Sequence, residues 1–161
     1  MTTTTTTAHA ATTSSTDRIQ KQTTLRATPA RVWRALSTAS EFGAWFGATL
    51  RTEFAPGATI EGSVTFRGQQ LAITFQIERM EPERLLAFRW HPFAIDPGVD
   101  STRAPTTLVE LALAAAPGGT LLTVTESGFD QLPLARRAQA FEMNSGGWAK
   151  QLENIARHVH A

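Results

Sequence analysis

From Ile60 onward the chain alternates apolar and polar residues with a period of two. Ile60, Gly62, Val64 and Phe66 alternate with Glu61, Ser63 and Thr65; beyond Arg67-Gly68, Leu71, Ile73, Phe75 and Ile77 alternate with Ala72, Thr74, Gln76 and Glu78. This is the pattern of a hairpin with one apolar and one polar face, joined by a tight turn. Leu86, Phe88 and Trp90 continue the apolar face, and Arg89 and His91 fall on the opposite, solvated side. Thr107, Val109, Leu111 and Leu113, then Leu122, Val124 and Glu126, repeat the alternation on either side of Pro117-Gly118-Gly119. A strand over Ile19–Thr28 has Ile19, Lys21, Thr23 and Leu25 on one side, and Leu50–Phe54 reads as a further short strand.

Between the first strand and this run the period changes to that of helices. Thr28-Pro29 supplies an N-cap and a first helical residue, and Val32, Trp33 and Leu36 form an apolar side. Ser40-Glu41 is expected to cap a second short helix that carries Phe42, Trp45 and Phe46 and stops at Gly47. At the other end, Pro133 to His160 reads as one long helix. Its expected buried stripe is Leu134, Ala138, Phe141, Ser145, Trp148, Leu152, Ile155 and Val159. The order is strand, two helices, six antiparallel strands and a long helix. That is an α+β layout in which a curved antiparallel sheet of six to seven strands wraps a C-terminal helix.

Composition narrows the function. The 161 residues suffice for one domain with a core, and the formal net charge of +1 gives no reason to expect a nucleic-acid partner. With no Cys and no Tyr, disulfides, thiolate chemistry and phenolic acid–base chemistry are excluded. No apolar run reaches the length of a membrane span, so integral membrane association is not expected, and a cytoplasmic location is the default reading. Residues 1–17 are rich in Thr, Ser and Ala without periodicity and are expected to be a disordered tail ahead of a domain over 18–161. The four His, at 9, 91, 158 and 160, are dispersed, so neither a metal nor a cofactor is expected.

Several short motifs, in order, resemble those of the START-like (SRPBCC) helix-grip superfamily. They are Ala27-Thr28-Pro29-Ala30-Arg31-Val32-Trp33, Leu36-Ser37-Thr38, Trp45-Phe46 and Phe54-Ala55-Pro56-Gly57-Ala58. They continue with Phe88-Arg89-Trp90, Thr123-Val124-Thr125-Glu126-Ser127-Gly128-Phe129 and Asn144-Ser145-Gly146-Gly147-Trp148. Within that superfamily the sequence is similar to bacterial proteins that resemble the C-terminal domain of the heat-shock chaperone ATPase activator. The resemblance implies a cavity between sheet and long helix. It also implies a range of activities: lipid and hormone binding, polyketide cyclisation, chaperone regulation.

Glu126 is the residue that breaks a pattern, because it shares strand parity with Leu122 and Val124. A carboxylate on an inward position is costly unless hydrogen-bonded. It is read either as a polar anchor or base in a cavity, or as a strand-end residue at the rim, bonded to backbone or an Arg. Trp45, Phe66, Phe75, Trp90, Phe141 and Trp148 occupy inward positions that would line a pocket or simply pack a core. Asn144 lies one helical turn before Trp148 and could bond a ligand or local backbone. Gly146-Gly147 is read as a place of close approach or a kink. The leading expectation is a small, largely apolar ligand held under the C-terminal helix by a monomer or homodimer, with its entrance near Phe42–Phe46 and the 92–106 connection. The alternatives are a cyclase- or hydrolase-type enzyme using the same cavity, and a chaperone ATPase-regulating module.

Overall fold

The computed structural model describes residues 17–92 and 105–160. The expected tail, apart from Asp17, and most of the 92–106 connection therefore lie outside the described residues. Seven strands form one antiparallel sheet: β1 (Arg18–Leu25), β2 (Ala48–Leu50), β3 (Thr59–Phe66), β4 (Gln69–Glu81), β5 (Leu85–Trp90), β6 (Thr107–Ala116) and β7 (Gly119–Ser127). Their order is β1-β7-β6-β5-β4-β3-β2, so successive hairpins lie side by side and the first strand pairs with the last. The helices are α1 (Pro29–Ser37), α2 (Ala39–Phe46) and α3 (Leu134–His160).

The alternation in sequence becomes the inner face of this sheet. Ile60, Phe75, Ile77, Leu86, Phe88, Val109, Leu111, Leu113, Leu122 and Val124 are all buried. Thr28 caps α1 as its sequence predicts, its hydroxyl accepting from the Arg31 amide at 3.1 Å. The second helix begins earlier than expected. Its N-cap is Thr38, without a side-chain bond, and Ser40-Glu41 already lies inside it. Gly43 lets α2 settle onto β2, since a Cβ there would stand 2.5 Å from the Ala48 carbonyl oxygen. The strand expected over Leu50–Phe54 is instead Ala48–Leu50. Phe54 leaves the sheet and packs its ring 5.4 Å from Phe42 and 5.8 Å from Phe75. Asp17 belongs to the fold: its carbonyl accepts from the Gly128 and Phe129 amides.

The long helix differs most from its sequence reading. Its buried stripe is Ala140, Asn144, Trp148, Leu152, Ile155 and Val159. Leu134 is 79 % exposed and Ala138 is exposed, and Ser145 is only half-buried. The second half follows the expected stripe, but the first half is rotated so that Asn144 faces the sheet. Gly146 and Gly147 are exposed, and a Cβ on either would meet nothing within 4 Å. They serve no close approach, and the helix runs through them without a break.

A candidate site around a buried carboxylate

Strand register assembles the sheet side of the site. Glu126 on β7 pairs with Val109 on β6. Two residues before Val109, on the same face, is Thr107, which pairs with Trp90 on β5. The pleat therefore sets Glu126, Thr107 and Trp90 beside one another on the inner face. On α3, Asn144 and Trp148 are four residues apart and share a helix face. That face lies over the same patch.

The carboxylate of Glu126 is fully buried (0 % exposed). Oε2 accepts from the Trp90 indole at 2.8 Å and from the Thr107 hydroxyl at 2.5 Å. Oε1 accepts from the Trp148 indole at 2.8 Å. The Asn144 amide nitrogen donates to both oxygens at 3.0 Å. An indole N–H can only donate, so each carboxyl oxygen serves as the acceptor for one tryptophan. All four donors are uncharged side chains, and no cation touches Glu126 among the described residues. The reading of Glu126 as a rim residue is thereby corrected, since the side chain is fully buried. It lies at the junction of β5, β6, β7 and α3, and its partners among the described residues are all neutral side-chain donors.

Aromatic rings close over this cluster. Trp90 and Trp148 stack with centroids 5.8 Å apart and planes at 30°. Phe46, at the end of α2, stands 5.8 Å from Trp90 and 6.4 Å from Trp148. Trp148 is 3 % exposed, whereas Phe46 and Trp90 are half-buried. Where the resemblance implies a cavity, Phe46, Trp90 and Trp148 lie in ring contact between helix and sheet.

Of the eight residues singled out from sequence, Trp90, Glu126, Asn144 and Trp148 come together directly. Phe75 lies next to them, 6.3 Å from Trp90, but packs chiefly on Phe88 at 4.6 Å. Trp45 is placed under α2, its indole donating to the Ala35 carbonyl. Phe141 is apart from the cluster, its ring 5.3 Å from that of Phe129. The side chain of Phe66 lies outside what the structure describes. Thr107 and Phe46 were missed as site residues. Thr107 carried a usable signal, a polar residue at the inward parity of Val109, Leu111 and Leu113, the same signal that marked Glu126. His91, expected on a solvated face, is half-buried, and its Nδ1 has no hydrogen-bond partner among the described residues.

A second polar group lies at the far end of α3. Glu41 accepts from Arg31 at 2.8 Å, from Arg34 at 3.1 Å and bonds His158 Nε2 at 2.9 Å. Burial pushes the Glu41 carboxyl upward, but the bonds from His158 and Arg31 and the charges of Arg31 and Arg34 outweigh it, so it titrates below its ordinary 4.5. A depressed carboxyl contributes stability above its unfolded value and loses it as pH falls through the lower, folded value. Glu41→Gln should therefore show a stability deficit in urea unfolding at pH 7 that shrinks below pH 4.5. An equal deficit at pH 7 and pH 3 would refute this linkage.

Beside this group is an open groove of about 300 Å³ lined by Ala44, Trp45, Asn154, Arg157 and His158. Its polar atoms already bond one another. Arg157 donates to Asn154 Oδ1, Asn154 Nδ2 donates to Gln151 at 3.0 Å, and His158 holds Glu41. It is a shallow surface feature, and the buried cluster is the stronger candidate site. Among the described residues no group of His, Asp or Glu is arranged to hold a metal ion, and no helix is long and apolar enough to cross a membrane.

Residues 26–160 match the model of the family described as activator of Hsp90 ATPase homolog 1-like protein. The chain belongs to this family. Its fold is shared with protein MLL2253 from Mesorhizobium loti (19% identity, TM-score 0.71, covering 89% of this chain and 96% of that one). It is shared too with a protein from Arthrobacter aurescens (20% identity, TM-score 0.73, covering 89% of this chain and 86% of that one). DynU16, a protein of the dynemicin biosynthetic locus, aligns at 23% identity and a TM-score of 0.69, over 90% of this chain and 48% of its own. No curated protein matches the sequence. At these identities the structural neighbours establish the helix-grip fold and leave the activity to be argued from the site.

Proposed function

We propose that this member of the family binds a small, largely apolar molecule between α3 and the inner face of the sheet, with its one polar anchor at Glu126. The observation that carries this reading is the buried carboxylate itself. An ion taken from water costs several kcal/mol, and an apolar side chain of similar volume would fill the same space without that cost. Two of the groups that hold the carboxylate are indoles, and one of them, Trp90, reaches the half-buried rim beside Phe46. Rotation of Phe46 would admit a ligand whose apolar body replaces its ring contacts with Trp90 and Trp148, beside the carboxylate that those indoles hold. The same arrangement argues against Glu126 as a catalytic base, because Oε1 and Oε2 together already accept five hydrogen bonds. A base needs a lone pair aimed at substrate.

The test is titration of the purified protein with Nile red, an uncharged apolar dye. Saturable enhancement of its emission, with a matching change in tryptophan fluorescence, is the expected result. Trp148→Ala should abolish both. A dye signal that stays at the level of free dye, or is unchanged in Trp148→Ala, would overturn the reading.

A further inference from the structure

Accepting that site, we propose that its preferred ligands carry a positive charge: an ammonium group, primary or quaternary, on an apolar body, seated on the outer face of Trp90. The inference rests on the proposed function and adds the chemical class of the ligand. Three features converge on it. Glu126 is a fully buried carboxylate whose partners Trp90, Thr107, Asn144 and Trp148 are all neutral. Its hydrogen bonds are satisfied, but among the described residues its charge is not. A cation brought nearby gains from that charge through a medium that screens poorly.

The second feature is the state of the indoles. Both Trp90 and Trp148 donate N–H to the carboxylate at 2.8 Å. Donation to an anion pushes electron density back into the ring and deepens the negative potential over its faces. Tryptophan is already the best side-chain partner for a cation. Trp90 and Trp148 stack with their planes at 30°, so one face of Trp90 is covered by Trp148. Phe46 stands at 59° to Trp90 rather than stacking flat upon it.

The third feature is access. Trp90 is half-buried, as is Phe46, whereas Trp148, Asn144 and Glu126 lie at 9 % exposure or less. A cation with bulky methyl groups need not reach the carboxylate. It can rest on Trp90 with Phe46 as a second wall, and the carboxylate acts from behind the ring. An anionic ligand at the same place would meet the carboxylate's field and the negative ring faces, and would be rejected.

The experiment compares choline with 3,3-dimethyl-1-butanol, which has the same shape without the charge, on the full chain. The indole N–H signals of ¹⁵N-labelled protein report the binding at Trp90 and Trp148. Choline is expected to bind about tenfold more tightly than the alcohol. Trp90→Phe keeps a ring but removes the donor, and it should reduce that preference to under about threefold. Equal affinity, or a preference for the alcohol, overturns the proposal, as does an undiminished preference in Trp90→Phe. If Nile red binds but choline leaves the indole signals unmoved, the apolar site stands and its cation preference falls. If neither binds, both fall.

Discussion

Glu126→Gln is expected to lower the unfolding free energy by about 2 kcal/mol, although it changes a single buried atom from oxygen to nitrogen. Two effects oppose each other. The amide removes an ion from a dry interior, which is favourable. It also turns one acceptor into a donor, and every neighbour is a donor. Placed at Oε1, the new N–H₂ faces Trp148 and Asn144; placed at Oε2, it faces Trp90, Thr107 and Asn144. Thr107 can rotate its hydroxyl, but an indole cannot become an acceptor. Asn144 keeps its bond to the oxygen that remains, so at either placement one indole loses its partner outright, at about 1–3 kcal/mol, more for a bond to a charged group, and that loss exceeds the relief from desolvation. Urea denaturation followed by circular dichroism measures the change. A decrease under about 1 kcal/mol would mean that the donors find other acceptors, and that the cluster does not hold α3 to the sheet.

Phe42→Ala should cost still more, about 4 kcal/mol. Phe42 is fully buried, and its ring lies 4.7 Å from Trp45, 5.2 Å from Phe46, 5.4 Å from Phe54, 5.7 Å from Phe75 and 6.3 Å from Phe88. Those partners come from α2, the segment between β2 and β3, and strands β4 and β5. None can move into the vacancy without abandoning another contact, so the cavity term is near its full value. Thermal unfolding should show the midpoint falling by roughly 10 °C or more. Because Phe46 is positioned through Phe42, Nile red affinity should drop in the same variant. A midpoint shift below about 3 °C would show that the ring cluster collapses around the gap.

How far the sequence could be read differs between the strands and the last helix. The pleat fixes a period of two, so each inward residue of β5, β6 and β7 was legible by parity, Glu126 included. In α3 the phase of the first half was not. Leu134, Ala138 and Phe141 compose an apolar stripe as plausible as Ala140, Asn144 and Trp148, and hydrophobicity favours the first. What decides for the second is a pair of polar residues, Asn144 and Glu126, each buried because the other is there. Reading residues one at a time counts both as reasons for exposure. The start of α2 was misplaced for a related reason: Ser40-Glu41 has capping chemistry, but Glu41 is used by Arg31, Arg34 and His158 instead. Nothing in local composition marks Gly146-Gly147 as a merely exposed pair. Only the absence of any neighbour within 4 Å of their would-be Cβ atoms does so.

The stacked pair over Glu126 also gives the protein an optical signature. The chain has four tryptophans and no tyrosine, so its near-ultraviolet absorption comes almost wholly from indole. Two of those indoles lie 5.8 Å apart at a fixed 30° inclination and are anchored to one carboxylate. Transition dipoles at that spacing couple, and a rigid chiral arrangement turns the coupling into a signed pair of circular dichroism bands. The grip of the last helix on the sheet is thus written into the light the protein absorbs, and its loosening would be visible without any label.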